Sequence, residues 1–367
     1  MDTAERNQTR IPHSMPTLGA REAEAVRLVM ERGFVGNGPA ARDLEQRLCE
    51  STSLPFGFAV SSGFHALSLA VRALDLKPDS LVAIPVLTCA SVLAAVLNAG
   101  HRAWLADISA RDLTIDLRSV PAETSALIVP RAYGAPLDTA AVCRMGLPWI
   151  EDCATSPASV GEGDCPGQAG DLAVFSFSST KYFTGGSGGA VLTRNELLAD
   201  RITDLLDCDE PAQQGHWNGV IPPALPGRLA DINAALAMIQ WEQLQTFAFR
   251  RRAIAARYMD RLRQCRGLQL PEMSEGHSFY RYIVRTDVAS EILAAALRVQ
   301  GIDARTSVNP WLDGWMDANR KVSGGPWPVA DAWREHLLSL PIYPGMSDED
   351  VDRVAEAAAN AAESVAA

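Results

Sequence analysis

The sequence lacks long apolar runs and an excess of basic residues. None of its 367 residues lies in a stretch that approaches the ~18 apolar residues of a membrane span. Residues 1–10 are polar and charged where a signal peptide needs an apolar segment, so we expect a cytoplasmic protein with no membrane partner. Acidic residues outnumber basic ones by 44 to 33, and the net charge of −11 argues against nucleic acid as a partner.

Cysteine and histidine are few and dispersed. The seven cysteines are odd in number and contain no C-x-x-C pair, which predicts reduced thiols rather than a disulfide framework. The six histidines show no H-x-x-H or H-x-x-x-H spacing, so neither residue type predicts a metal site. With 47% hydrophobic and 21% charged residues, the chain can still bury a large core.

Short apolar runs alternate with helical patterns along most of the chain. The runs that resemble strands lie at residues 58–61, 81–85, 102–106, 126–129, 148–150, 172–175 and 190–192. Strands joined by crossover helices predict an α/β fold, with a mainly parallel central sheet covered on both faces. One long helical pattern over 232–263 then leads to a strand at 279–284, a helix at 290–300 and a final helix from 348. We therefore expect a large α/β domain over 1–245 and a smaller α+β domain over 246–367.

The first chemical feature is a strand that turns through Gly63 into a helix. The segment reads Ser61-Ser62-Gly63-Phe64-His65. Because a helix N-terminus presents unpaired N–H groups and the positive end of its dipole, such a turn can bind phosphate. An ordinary strand-to-helix turn is the alternative.

Two further features follow at the ends of later strands. One is the pair Glu151-Asp152, of which at most one side chain faces a given site because strand neighbours point to opposite faces. A solvated acid next to a helix-capping acid is the alternative. The other is Lys181, which lies among small hydroxyl residues before a glycine run. A desolvated lysine can form a Schiff base, although an arbitrary lysine is usually solvated.

Together these features match the needs of pyridoxal 5′-phosphate. That cofactor requires a phosphate cup, an anion for its pyridine nitrogen and a lysine that captures its aldehyde. The sequence contains the cup, the acid and the lysine in that order on successive predicted strand ends. Since parallel strand ends share one edge of the sheet, the three groups are expected to form one site.

A set of ordered motifs over nearly the whole chain supports this interpretation. They are residues 36–39 before a helix, Ser62-Gly63 with Ala66-Leu67, residues 85–88 followed by Gly100, Asp107, Glu151-Asp152, Gly170-Asp171, Phe175-Ser176-Phe177 with Lys181, Gly186 with Gly188-Gly189, Arg228 followed by Ala234-Ala235, Gln243-Leu244, and Leu340-Pro341-Ile342. In these motifs the chain resembles the DegT/DnrJ/EryC1/StrS aminotransferases. The resemblance implies a fold type I enzyme that depends on pyridoxal phosphate.

The resemblance also implies roles for individual residues. Lys181 would form the Schiff base and carry protons, and Asp152 would pair with the pyridinium nitrogen. Ser176 and the turn after Ser62, with Gly63, Phe64 and His65, would hold the phosphate. Arg228 would reach the active site of a partner subunit, so we expect a homodimer with shared active sites.

The chain departs from the family pattern at four places around the cofactor. Cys89 stands where an aromatic residue usually stacks on the ring, and Thr155 stands where Gln or His usually approaches the phenolic oxygen. Phe64 replaces a hydroxyl residue of the cup, and the Asn-x-Arg motif becomes Pro226-Gly227-Arg228. The lysine and aspartate chemistry is retained, but these departures weaken the inference that this chain acts on the family's usual sugar substrate.

The leading hypothesis is an aminotransferase that moves an amino group from an amino acid, such as glutamate or glutamine, to a keto sugar or a related ketone. The keto sugar would be nucleotide-linked, in sugar or natural-product biosynthesis. One alternative is a pyridoxal phosphate enzyme of elimination or dehydration, although family members that dehydrate tend to carry histidine in place of Lys181. A non-catalytic binding or regulatory protein on the same fold is the other.

Overall fold

Two β-sheets organise the protein. The computed structural model describes residues 10–158, 165–207 and 224–366. Its strands are β1 (Phe56–Val60), β2 (Leu81–Pro85), β3 (Arg102–Ala106), β4 (Ala126–Pro130), β5 (Trp149–Asp152), β6 (Leu172–Ser176), β7 (Gly189–Thr193), β8 (Leu268–Gln269), β9 (Tyr282–Thr286), β10 (Arg305–Thr306), β11 (Val322–Gly324) and β12 (Leu337–Leu340). The larger sheet has the order β1-β7-β6-β5-β4-β2-β3-β11, and β10-β12-β9-β8 form the smaller one.

The larger sheet is mainly parallel, as predicted. All neighbours from β6 to β11 run parallel, and only β7 runs antiparallel to its neighbours β1 and β6. Consecutive residues of β6 enter different cores, with Val174 in one hydrophobic cluster and Phe175 in another on the opposite face. This alternation shows that both faces are buried, which explains why the strands read as continuous apolar runs.

Helices cover both faces of the larger sheet and one face of the smaller one. They are α1 (Ala20–Arg32), α2 (Pro39–Thr52), α3 (Gly63–Ala73), α4 (Ala90–Asn98), α5 (Thr139–Arg144), α6 (Glu196–Leu206), α7 (Asp231–Glu242), α8 (Leu244–Leu262), α9 (Ser290–Val299), α10 (Pro328–Trp333) and α11 (Asp348–Ala366). Helices α8, α9 and α11 share one hydrophobic cluster with the smaller sheet. None of the helices in the described ranges is long and apolar enough to cross a membrane.

The C-terminal part of the chain differs from the sequence expectation in two places. The predicted helix over 232–263 breaks at Gln243 (φ −91°, ψ 0°), whose side chain donates to Glu22 at 2.8 Å, so α7 and α8 are separate. The strand expected from residue 279 begins at Tyr282, because Phe279 has a left-handed φ of 50° that a strand cannot contain.

Short segments from each end of the chain pair with distant parts of it. Strand β11 comes late in the chain but pairs in parallel with β3 of the larger sheet. Ile11, near the start, forms a parallel bridge with Ile302 beside the smaller sheet. The division into 1–245 and 246–367 remains a prediction. All four strands of the smaller sheet lie after residue 245, but β11, which also lies after residue 245, belongs to the larger sheet.

Candidate active site

The turn at the end of β1 starts helix α3 with unpaired backbone donors. Ser62 caps the helix: its hydroxyl accepts from the His65 N–H at 3.1 Å, and its carbonyl accepts from the Ala66 N–H at 3.0 Å. No acceptor in the described part of the chain pairs with the N–H groups of Gly63 and Phe64. Two donors at the positive end of the helix dipole are therefore available to an anion.

Ser176 lies against this turn at the end of β6. An ideal Cβ placed on Gly63 would lie 2.6 Å from Ser176 Cβ, and one on Gly189 would lie 2.6 Å from the Gly63 nitrogen. Only glycine fits at both positions, because real side-chain atoms do not approach so closely. The Ser176 hydroxyl, without a hydrogen-bond partner among the described residues, therefore borders the turn with the two unpaired N–H groups. Together they form an anion cradle.

The adjacent acids Glu151 and Asp152 face opposite sides of β5. The Glu151 carboxylate is fully buried, pairs with the Nε of Arg131 at 2.7 Å and accepts from the Gly167 N–H at 2.9 Å. Its charge is thus neutralised inside the protein. Asp152 accepts one hydrogen bond, from the Ala154 N–H at 3.0 Å, and no group in the described ranges donates to its Oδ2.

Asp152 is buried without a full complement of partners. Burial raises the pKa of its carboxyl above the usual value, and the charge of Lys181 and the Ala154 N–H only partly oppose this effect. A cation placed at Oδ2 would stabilise the ionised form. The geometry therefore provides a carboxylate that can hold a positively charged group at the carboxyl edge of the sheet.

Lys181 follows β6 and faces an aromatic ring from the second half of the chain. Its backbone N–H donates to the Ser178 carbonyl at 3.0 Å, and its Nζ lies 6.0 Å from the centroid of the Tyr280 ring. Within the described residues, no carboxylate forms an ion pair with this amine. Lys181 is half-buried, so it combines partial desolvation with access to a ligand.

The side chains of the remaining candidate residues, His65, Phe64 and Cys89, make no contribution to the cradle itself. The His65 imidazole is held away from the cradle, because its Nε2 bonds the Leu225 carbonyl at 2.8 Å and its Nδ1 bonds the Ser61 hydroxyl at 3.0 Å. Its backbone N–H is also engaged, because it donates to the Ser62 hydroxyl. Phe64 is 39% exposed, and Cys89 is exposed at the start of α4, with its thiol directed to Ser91.

Thr155 and Tyr182 are already engaged. The Thr155 hydroxyl donates to the Arg131 carbonyl at 2.5 Å, so towards a ligand this oxygen can only accept. The Tyr182 hydroxyl donates to the Ser278 carbonyl, and its buried ring lies under the Arg251 guanidinium. Tyr182 therefore has a structural role.

Arg228 is held within its own chain. Its Nε and Nη2 donate to the two carboxylate oxygens of Asp207, which forms a bidentate ion pair. Its backbone bridges Val60 at the end of β1, close to the cradle. His216 and Trp217, which the sequence places before the helical pattern that begins at residue 232, lie outside the described residues.

Three contributors escaped the sequence analysis: Arg131, Tyr280 and Arg281. Arg131 follows β4 and neutralises Glu151, while the Tyr280 hydroxyl donates to the Thr180 carbonyl beside the lysine at 3.1 Å. Arg281 in turn donates to the Tyr280 hydroxyl at 3.1 Å. A charged residue directly after an apolar run was a usable signal for Arg131, whereas nothing local marks the other two.

The cradle, Asp152 and Lys181 come from neighbouring strand ends of a mainly parallel sheet. Their chemistry fits pyridoxal 5′-phosphate: unpaired N–H groups for a phosphate, a carboxylate with an open oxygen for a cationic ring nitrogen, and a partly desolvated amine for an aldehyde. Fold and site thus define a fold type I enzyme that uses pyridoxal phosphate.

The chain belongs to the DegT/DnrJ/EryC1/StrS aminotransferase family, whose model matches residues 16–359. It is a pyridoxal phosphate-dependent aminotransferase, as the sequence predicts. Solved structures agree with this assignment. The aminotransferase TlmJ from Streptoalloteichus hindustanus is 27% identical, with a TM-score of 0.88 over 97% of this chain and 100% of that one.

Two more distant structures share the fold. The putative sugar aminotransferase Spr1654 from Streptococcus pneumoniae is 22% identical in its PMP form, with a TM-score of 0.87 over 97% of this chain and 98% of that one. The GDP-4-keto-6-deoxy-D-mannose-3-dehydratase from E. coli is 18% identical, with a TM-score of 0.87 over 95% and 99% of the two chains. The same fold therefore occurs with an activity other than amino transfer.

Proposed function

We propose that this aminotransferase transfers an amino group from an amino acid, glutamate or glutamine, to a keto sugar, in sugar or natural-product biosynthesis. Membership of the family and the sugar aminotransferase named among the similar structures support a sugar acceptor. A nucleotide-linked sugar is the expected form of that acceptor. The observation that carries amino transfer over dehydration is Lys181, an amine presented beside a buried carboxylate.

The residues of the site divide the work. When bound, the cofactor supplies an aldehyde for amine capture and a ring that withdraws electron density. The turn of Ser62, Gly63, Phe64 and His65, through the unpaired N–H groups of Gly63 and Phe64, would hold the phosphate together with the Ser176 hydroxyl. Asp152 would keep a proton on the ring nitrogen, because a buried carboxylate is stabilised by an adjacent cation.

Lys181 accepts and returns the proton that moves during amino transfer, at its Nζ. By the family pattern, Cys89 and Thr155 would lie beside the cofactor ring. Thr155 presents only a hydrogen-bond acceptor there, because its proton is committed to the Arg131 carbonyl. A cofactor ring beside Cys89 would gain less dispersion energy from the thiol than from an aromatic side chain.

A donor and acceptor screen tests this function directly. Purified protein loaded with the cofactor should absorb visible light and lose that absorption on addition of its amino donor. The bleached enzyme should recover the absorption with a keto sugar, and mass spectrometry should find the aminated product. Recovery with keto acids alone would reject the sugar acceptor, and release of water without amine incorporation would indicate the dehydration alternative.

The homodimer with shared active sites is part of the same proposal. A two-fold interface would place Arg228 of each subunit at the other's site symmetrically. Mixing inactive Lys181→Ala chains with inactive Arg228→Ala chains should then restore partial activity. Arg228 forms an ion pair with Asp207 beside the cradle of its own subunit. If Arg228 acts in that subunit instead of the partner's, the mixture stays inactive even when mixed dimers form.

A further inference from the structure

Arg281 is a buried cation that no described residue neutralises. The residue is 4% exposed, and its Nε and Nη1 have no hydrogen-bond partner among residues 10–158, 165–207 and 224–366. These two nitrogens carry three of the five N–H donors of a guanidinium. In the described ranges no carboxylate forms an ion pair with it, and its one hydrogen bond runs from Nη2 to the Tyr280 hydroxyl. Because burying an unpaired charge is costly, an anion from outside the described structure would stabilise the guanidinium.

Arg281 borders a cavity of about 330 Å³. The walls come from the loops that follow β3 and β4 and from the segment that leads into β9, and the volume lies in the range of small-molecule sites. Other charged groups of the wall have partners: Glu272 pairs with Arg111, Asp138 caps α5, and Arg285 lies over the Trp333 ring.

The cavity is linked to the reactive lysine through one aromatic ring. The Lys181 Nζ lies 6.0 Å from the centroid of the Tyr280 ring, and the Arg281 Cζ lies 4.2 Å from the same centroid. The Tyr280 hydroxyl bonds both to Arg281 and to the carbonyl of the residue before the lysine. Lys181 marks the place where the amino group of a donor would react, and the Arg281 guanidinium lies on the same ring as a cation for a carboxylate. The pair therefore matches a ligand that carries both an amino group and a carboxylate.

We propose that Arg281 binds a carboxylate of the amino donor, with the cavity beside it receiving the rest of that amino acid. This assignment rests on the proposed amino transfer. A single planar guanidinium suits a carboxylate, which it can hold through two parallel hydrogen bonds. A diphosphate fits less well, because the three arginines of the cavity wall, Arg111, Arg281 and Arg285, are balanced by three acidic side chains, those of Asp112, Asp138 and Glu272.

The test compares amino donors in single turnover with the loaded enzyme. Bleaching of the visible absorption as a function of donor concentration gives an apparent Kd and a limiting rate. Arg281→Met should raise the Kd for L-glutamate about ten- to a hundredfold, while the limiting rate changes less. Arg281→Lys should give an intermediate Kd. Arg285→Met, which removes a charge from the same cavity, is the matched control and should change the Kd by less than about threefold.

Ligand variants identify the group that Arg281 recognises. L-isoglutamine lacks the α-carboxylate of glutamate, and L-glutamine lacks the side-chain carboxylate. One of the two should bind wild type and Arg281→Met equally, because it lacks the group that the guanidinium holds. The carboxylate assignment is overturned if glutamate, isoglutamine and glutamine each bind wild type and Arg281→Met with equal Kd. It is also overturned if inorganic phosphate displaces glutamate at a lower concentration than acetate does, and does so only in the protein that retains Arg281.

Thermal unfolding separates a binding role from a structural one. In the cofactor-free protein, Arg281→Met should leave the Tm unchanged or raise it, because an apolar side chain replaces an unpaired buried charge. A fall in Tm with an unaltered donor Kd would show that Arg281 is structural. If wild type reacts with no amino acid at all, the proposed function fails, whereas donor turnover that is indifferent to Arg281 overturns this inference alone.

Discussion

Replacing Gly63 by alanine is expected to weaken cofactor binding at the cradle. The new Cβ would lie 2.6 Å from Ser176 Cβ and 2.7 Å from its Oγ, whereas carbon atoms pack at roughly 3.5–4.0 Å. Rotation of the Ser176 hydroxyl relieves only the second contact. The start of α3 and the end of β6 must therefore separate by about 1 Å, which costs about 1–3 kcal/mol of stability as overpacking does elsewhere.

The same displacement removes donors from the phosphate. A hydrogen bond to a charged group contributes about 1.5–3 kcal/mol, so the loss of one raises the Kd for pyridoxal phosphate by about ten- to a hundredfold. Titration of cofactor-free protein, followed by fluorescence, measures this Kd, and urea unfolding measures the strain. Gly314→Ala is the matched control, because nothing lies within 4 Å of its ideal Cβ. Wild-type affinity in Gly63→Ala would refute the cradle as the phosphate site.

Three further substitutions test neighbouring parts of the site. Asp152→Asn should retain the cofactor but lose most turnover, and wild-type turnover would mean that another group holds the ring nitrogen. Burial raises the pKa of Asp152, so its ionised form is unfavourable in the folded protein. Asp152→Asn should therefore stabilise the cofactor-free protein against urea at neutral pH. This gain should disappear as the pH falls below about 4, because the carboxyl is then protonated in both the folded and the unfolded protein. Arg131→Met leaves Glu151 charged and buried, so the free energy of unfolding in urea should fall by about 3–5 kcal/mol. The double variant Arg131→Met/Glu151→Gln should recover part of this loss. Equal stability of Arg131→Met and wild type would contradict the buried ion pair. Cys89→Phe should slow cofactor loss during dialysis if the ring has room, and faster loss would show that the thiol fills a site already shaped for it.

The sequence predicts the central sheet well because its strands are buried on both faces. Residues 81–85, 126–129 and 172–175 are continuous apolar runs, and each forms a strand in the structure. Strand β11 escaped prediction because three residues, Val322–Gly324, carry no periodicity that distinguishes them from the surrounding loop. The break at Gln243 also has no local signal, since it depends on a hydrogen bond to Glu22, 221 residues away in the chain.

The sequence also separates the site into a predictable and an unpredictable part. The cup, Asp152 and Lys181 could be proposed because each follows a strand that the sequence marks, and parallel strands bring their ends together. Their supporting contacts could not: Arg131 pairs with Glu151 across 20 residues, and Tyr280 bonds Thr180 across 100. The first contact depends on the pairing of β4 with β5, and the second depends on how the second half of the chain packs over the sheet. Local patterns encode neither.

The pairing of buried charges distinguishes structural from functional residues here. Glu151 is fully buried, yet Arg131 and backbone N–H groups satisfy it, so it contributes to the fold under the site. Asp152, its neighbour, and Arg281 are nearly as buried but keep open hydrogen-bonding positions. A protein retains such groups against the cost of desolvation where a ligand supplies the missing charge. The two open charges have opposite signs, as expected for a site that holds a cationic ring nitrogen at one end and a carboxylate at the other.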